Sequence, residues 1–595
     1  VTGVQTCALP IWVHEYGGGA CAIDHGVAVF VHDGDRCLWR LDLDRPGATP
    51  VRVTEPGADG HFAGALGGGL IDGPRQRWIG VLEAEGRDQL VAVPLAGGTP
   101  QPLHRSADFC GYPALSPCGN RLAWVEWQQP CLPWERSQLW VGAVGADGAI
   151  SDARPVAGSI PGEEAGISVF QPLWAGADLV VANDRSGFWN LERWAGAATA
   201  AIPQDSEPTW QPLLPMQAEF AMPQWVFGMA TTAWDGQRLL AIACEKGRWE
   251  LGEVVLGAAE SQAARAPGQA QPATLPAAAR WQPLAQPCDD LASLSAEAGR
   301  LACVASGPSL PSGLLELDLA SGAWTHTPAA PCPLAPEAIS VPEELWFDGH
   351  GGQPTQAWYY PPAGGGHREA PLLVKSHSGP TAMARTGLSL GIQFWTSRGW
   401  GVVDVNYGGS TGFGRAYRER LDGQWGVVDV ADCAAATEAV VARGLASAER
   451  IAIEGGSAGG FTTLAALCFT GTFRAGASRY GVADLSALAV DTHRFEARYL
   501  DGLVGPWPVA KATYEARSPL QHADRIRCPV IFFQGQDDVV VPPAQTERMA
   551  EALRANGIPV EVHLFPDEGH GFRNGATQIE VLEATEAFFR RHFGL

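Results

Sequence analysis

Lysine is nearly missing from this chain of 595 residues: of 41 basic side chains only Lys246, Lys375 and Lys511 are lysines. That bias reads as genomic base composition. Against 64 acidic residues it leaves a formal charge of −23, with only 18% of residues charged. Phosphate binding needs a basic patch, so nucleic acid is excluded as a partner. The 13 cysteines form no CxxC pair and no Cys/His ligand spacing, which leaves neither a zinc site nor a disulfide framework. Free thiols point to a reducing, cytoplasmic compartment. No apolar run approaches the roughly 20 residues of a membrane span, so a membrane partner is not expected. What the chain does have is apolar material, 46% of its residues, in a length beyond what one core supports. At least two domains follow.

Residues 1–11, VTGVQTCALPI, resemble a translated sequencing-adapter remnant that recurs in metagenomic assemblies and are set apart from fold reasoning. On that reading the natural start is missing.

From Trp12 to about Thr327 one pattern recurs: a polar turn, a short apolar run, a second turn, and another run centred on Trp or Leu. The first runs begin near Val27, Trp78, Leu122, Leu179, Leu239 and Leu301. Their partners centre on Trp39, Leu90, Trp140, Trp189, Trp249 and Leu315. Spacings of roughly 44 to 62 residues fit one four-stranded propeller blade per repeat. A β-sandwich is the competing reading, but six near-even units favour radial repetition. A β-propeller is therefore expected over 12–335, seven-bladed in a full-length protein and either open or short of strands at its first blade here. Around Thr325 to Val341 the Pro/Ala-rich stretch THTPAAPCPLAPEAISV reads as a linker.

Beyond it, over 336–595, strand-like runs (LLVKS, GVVDVN, IAIEG, VIFFQG, VEVHLF) alternate with helical stretches such as VVDVADCAAATEAVVARGL and FTTLAALCF. That alternation predicts an α/β, doubly wound and mostly parallel sheet.

GGSAGG, Gly455 to Gly460, lies between the strand IAIE and the helical FTTLAAL. A serine at such a strand-to-helix elbow is held in a strained conformation, and small neighbours let its hydroxyl project. A hydroxyl is a weak nucleophile at neutral pH and needs a base, which in this fold follows it after an acid. Five histidines follow Ser457. His563 sits within the strand VEVHLF, His592 in the terminal helical stretch, and His493 and His522 have no strand directly ahead of them. His570, in PDEGHGF, follows a strand end and is flanked by glycines, at the sheet edge where open α/β sheets carry their sites. The acid should leave another strand end, and VIFFQGQDDVVVPP offers Asp537 and Asp538. Residue chemistry leaves that pair open.

SHSGP, NYGGSTGFG, WGVVDVADC, GGSAGGFTTL, QGQDDVVVP and FPDEGHGF together resemble the successive motifs of the prolyl oligopeptidase family, nearest its acylaminoacyl-peptidase and dipeptidyl-aminopeptidase-like branch. The likeness spans 340–595. Upstream, VHEYGGGA and SVFQPLWAGADLVVANDRSGFWNL are similar to propeller segments of that branch. The resemblance implies an α/β-hydrolase domain with Ser457 as nucleophile, His570 as base and Asp538 as acid. It implies an oxyanion hole made by the backbone amides of Ala458 and Gly379. Phe413 stands where many members place an oxyanion tyrosine, and Val540 where some place an arginine that clamps a substrate carbonyl. In dipeptidyl peptidases of the family a propeller Glu pair binds the substrate's free amine. Glu163 and Glu164 invite that comparison, against the bland alternative of a solvated loop.

The expected activity is a serine peptidase working through an acyl-enzyme on short peptides, with the propeller restricting access to small or unfolded ones and no metal or organic cofactor. An esterase with the same triad is one alternative. A catalytically idle propeller interaction protein is the other, and the complete Ser/Asp/His set argues against it.

Overall fold

The structure, a computed structural model, describes residues 13–159, 166–203, 208–256 and 279–595. The chain divides into two compact units, one running to Ala305 with Gly313–Ala329 and the other holding Ser306–Ser312 and Ala330–Leu595.

Six four-stranded antiparallel sheets make up the first unit. The six apolar runs of the sequence are the second strands, Val27–Val31, Arg77–Ala84, Arg121–Trp127, Asp178–Asn183, Leu239–Glu245 and Arg300–Gly307. Their partners belong to the third strands, except that Trp189 falls one residue before Asn190–Trp194. The first and fourth strands escape the sequence pattern because they are interrupted or exposed. Ala65–Asp72 reads ALGGGLID and carries a bulge, and Gln101–Arg105 reads QPLHR. Residues 324–328, placed partly in the linker by composition, form the fourth strand of the sixth sheet, paired with Gly313–Leu317. The first sheet has all four strands, beginning at Cys21–Asp24, so the expectation of missing strands is not met. First strands of successive sheets lie side by side from Cys21–Asp24 through to Asp290–Glu297, and no comparable contact joins those two end strands among the described residues.

The second unit is built on one eight-stranded sheet: β1 (Glu343–Asp348), β2 (Pro354–Tyr360), β3 (Leu372–Ser376), β4 (Gly401–Asn406), β5 (Ile451–Gly456), β6 (Ala475–Arg479), β7 (Val530–Gly535) and β8 (Val560–Phe565). Its order is β1-β2-β4-β3-β5-β6-β7-β8, antiparallel through β1, β2 and β4 and parallel thereafter. This is a doubly wound α/β-hydrolase sheet. The helices are α1 (Leu390–Thr396), α2 (Arg415–Arg418), α3 (Val428–Ala442), α4 (Ala458–Phe469), α5 (Leu485–Asp491), α6 (Tyr499–Leu503), α7 (Lys511–Arg517), α8 (Pro543–Ala555) and α9 (Gly575–Phe593).

Central parallel strands are covered on both faces, so they read as unbroken apolar runs. Alternate residues still go to opposite faces. Leu373, Val402, Ala452, Ala477 and Phe533 pack with Ile392 and Trp395 of α1 and Val581, Phe588 and Phe589 of α9 in one core. The other face meets α4, where Ser376 Oγ donates to the Gly459 carbonyl at 2.8 Å. From Ala458 to Cys468 every residue of α4 is buried. Among the described residues no helix is long and apolar enough to cross a membrane.

Candidate active site

Ser457 links β5 to α4 with φ 53° and ψ −120°, a conformation costly for a residue with a Cβ. Its amide donates to the Arg479 carbonyl of β6 at 3.0 Å, and its own carbonyl accepts from Phe461 N in the first turn of α4. The close fit of that turn explains the glycines. A Cβ on Gly459 would lie 2.1 Å from the Ser376 carbonyl oxygen. Within fully buried surroundings Ser457 is only half-buried, so its hydroxyl reaches the open side of the sheet edge.

His570 and Asp538 arrive from the ends of neighbouring strands. His570 Nε2 lies 2.8 Å from Ser457 Oγ, and its Nδ1 lies 2.9 Å from Asp538 Oδ2. The tautomer that donates from Nδ1 to the carboxylate leaves Nε2 to accept from the serine hydroxyl. Asp538 is 3% exposed. Its Oδ1 accepts from Val540 N at 2.9 Å and Val541 N at 2.8 Å, and its Oδ2 accepts from Gln534 Nε2 at 3.2 Å. Asp537 is exposed, and its amide donates to the Glu568 carbonyl. The loop carrying His570 is closed by Glu568, whose carboxylate accepts from Arg573 N at 2.8 Å and Asn574 N at 2.9 Å. The ring of Tyr480 meets His570 edge-on with centroids 5.0 Å apart.

The other histidines have separate surroundings. His563 Nδ1 faces Glu580 at 3.1 Å, His592 packs on Phe588, His522 on Phe469, and His493 lies beside Glu496.

Ala458, the first residue of α4, has an amide that the helix itself does not use. Gly379 lies on the loop after β3 with φ 127°, and a Cβ there would meet Thr381 N at 2.7 Å. Ser378 Oγ donates to the Gly456 carbonyl at 2.7 Å, tying this loop to the residue before Ser457. His377 on the same loop stacks on Tyr407 with centroids 4.2 Å apart and holds Ser410 Oγ at 2.7 Å. Burial pushes its pKa down to about 4, so the ring is neutral at pH 7.

A model of the prolyl oligopeptidase family matches residues 386–595. A puromycin-hydrolyzing peptidase of Mycobacterium tuberculosis superposes with a TM-score of 0.85 at 37% identity, over 98% of this chain and 87% of that one. The chain belongs to the prolyl oligopeptidase family. Among the family's curated members, dipeptidyl aminopeptidase BIII of Pseudoxanthomonas mexicana is 33% identical over 230 residues, 38% of this chain and 33% of that protein. Acylamino-acid-releasing enzyme 1 of Oryza sativa subsp. japonica is 29% identical over 232 residues, 37% of this chain and 30% of that protein. The matched part thus spans only about a third of the length of these curated prolyl oligopeptidase relatives.

Against the prolyl oligopeptidase pattern two positions stand out. Phe413 stacks on Tyr417 at 4.7 Å and meets Trp346 edge-on at 6.0 Å, and it has no hydroxyl to offer. Val540 contributes only its amide, to Asp538. Glu163 and Glu164 lie outside the described residues. Among those described, His14, Glu83 and Asp88 bring ligating atoms within 4.8 Å of one another. There Asp88 accepts from Cys110 N and lies 2.6 Å from His14 Nε2, while Glu83 takes the His14 amide at 2.8 Å. These are the hydrogen bonds of a structural cluster.

One constellation went unread in the sequence. Asp404, Lys375, Glu454 and Arg479 stand on four adjacent strands, on the α1/α9 face, one step beyond the apolar core toward the carboxyl edge. Lys375 Nζ lies 2.5 Å from Glu454 Oε1, and Arg479 Nη2 lies 3.4 Å from it. Burial would raise Glu454, but these two cations overcome it and hold the carboxyl below its ordinary range. Burial dominates at Asp404 and pushes it up to about 6, opposed by Lys375. The available signal was charge inside apolar strands, LLVKS and IAIEG, one of them carrying a scarce lysine.

Proposed function

We propose that this chain is a serine peptidase that hydrolyses short peptides through an acyl-enzyme on Ser457. The observation that carries the reading is the unbroken Ser457–His570–Asp538 chain of contacts, 2.8 and 2.9 Å, at a nucleophile elbow. His570 Nε2 takes the hydroxyl proton as Ser457 Oγ attacks the scissile carbonyl. Asp538 orients the ring and stabilises the imidazolium. The resulting oxyanion is held by the Ala458 and Gly379 amides, without the tyrosine that Phe413 replaces. His570 then gives its proton to the leaving amine, the C–N bond breaks, and water activated by the same imidazole releases the acyl group.

Acylated peptides and dipeptide amides with a free N-terminus are the leading substrate classes, following the two named activities among the curated relatives. Puromycin joins the panel because the 37% identical relative is named for hydrolysing it. A fluorophosphonate probe is expected to label the wild-type chain and to leave Ser457→Ala unlabelled. Equal labelling of both would remove Ser457 from the role. Hydrolysis of simple esters with no turnover of any amide would place the activity with the esterases instead.

A further inference from the structure

The loop that carries Gly379 is pinned on both sides. On one side Ser376 Oγ donates to the Gly459 carbonyl and Ser378 Oγ to the Gly456 carbonyl, so both ties run to the nucleophile elbow. On the other, two residues beyond Gly379, Thr381 meets a single hydroxyl. Thr381 N donates to Tyr499 Oη at 3.2 Å, and Thr381 Oγ1 lies 2.5 Å from the same oxygen. Both residues are buried, at 5% and 4% exposure.

Tyr499 opens α6, in the helical segment between β6 and β7. That short helix is itself held. Gly423 N donates to the Gly502 carbonyl at 2.7 Å and Trp425 N to the Leu503 carbonyl at 3.2 Å. Asp501 accepts from Arg498 Nε and from Trp507 N. The Tyr499 hydroxyl is thus a fixed point supplied from outside the elbow.

We infer that Tyr499 is a positioning residue whose hydroxyl, through Thr381, sets the direction of the Gly379 amide toward the developing oxyanion. The inference rests on the triad and oxyanion reading above. An amide that must meet an oxyanion gains its effect from being aimed in advance. Between anchors at Ser378 and Thr381 the peptide plane of Gly379 has little freedom left, and losing one anchor releases it. The ground-state carbonyl makes weaker demands on that amide than the oxyanion does, so the loss should fall on the transition state.

Tyr499→Phe keeps the ring and deletes the hydroxyl. With a peptide amide substrate, kcat is expected to fall roughly tenfold while KM stays within about twofold. The affinity for a peptide aldehyde, which forms a tetrahedral oxyanion on Ser457, is expected to fall in step with kcat. Thr381→Val tests the same link from the other side, and the double variant should be no worse than the poorer single one. Unchanged kcat and aldehyde affinity in both folded single variants would overturn the inference. So would a parallel change in KM and kcat accompanied by a lowered melting temperature, the mark of a purely structural role. Failure of the parent reading looks different: Ser457→Ala would then still be labelled, whatever Tyr499 does.

Discussion

Adjacent aspartates receive opposite environments from one turn of chain. Asp538 points back into the strand end, where two backbone amides hold Oδ1 and Gln534 shares Oδ2 with His570. Asp537, one residue earlier, points to solvent. Asp538→Asn is therefore expected to lower kcat by about four orders of magnitude, because the amide favours the wrong imidazole tautomer. Asp537→Asn should stay within a few-fold of wild type. Steady-state kinetics on the two variants decides it, and equal losses would contradict the geometric assignment. Residue chemistry alone did not separate this pair, since which way each side chain turns depends on the backbone beyond the strand. The resemblance selected Asp538, and the contacts supply the physical reason.

At the scale of elements, the parallel strands were legible because burial on both faces demands continuous apolar runs. β6 was not, since AGASR is short and built of small residues where α4 packs close. Nor were β1 and β2, which precede the first alternating helix. The row Asp404–Lys375–Glu454–Arg479 is a property of four strands in register, invisible from any one of them. It makes a stability prediction. Asp404 titrates near 6 in the fold against an ordinary 3.8. Between those values the unfolded chain is ionised while the native state keeps its proton. The native state then binds more protons, and stability falls as pH rises through that window. Asp404→Asn removes the penalty, so its stability relative to wild type should rise by about 1–3 kcal/mol between pH 4 and pH 7. Urea unfolding at both pH values measures this, and a pH-independent difference would show that folding leaves the Asp404 carboxyl at its ordinary value.

At the scale of the whole molecule, two compact units of different architecture imply more than one cooperative transition. Scanning calorimetry is expected to give a calorimetric enthalpy above the van't Hoff enthalpy, and a ratio of one would mean that the units melt together. The sequence by itself determined the two architectures, because hydrophobic period and repeat spacing are local properties that burial imposes directly on residue order. It also marked the elbow and the histidine that lies beside Ser457, since glycines around a strained turn and a loop after a strand leave a compositional trace. Only the tertiary structure decided where the first and fourth strands of each propeller sheet lie, because those strands are stabilised by pairing and carry little apolar signal. Only it brought Tyr499 to Thr381 and lined four charges across the sheet. Those contacts join residues up to 118 positions apart, and such distances close only when the strands between them have taken their places.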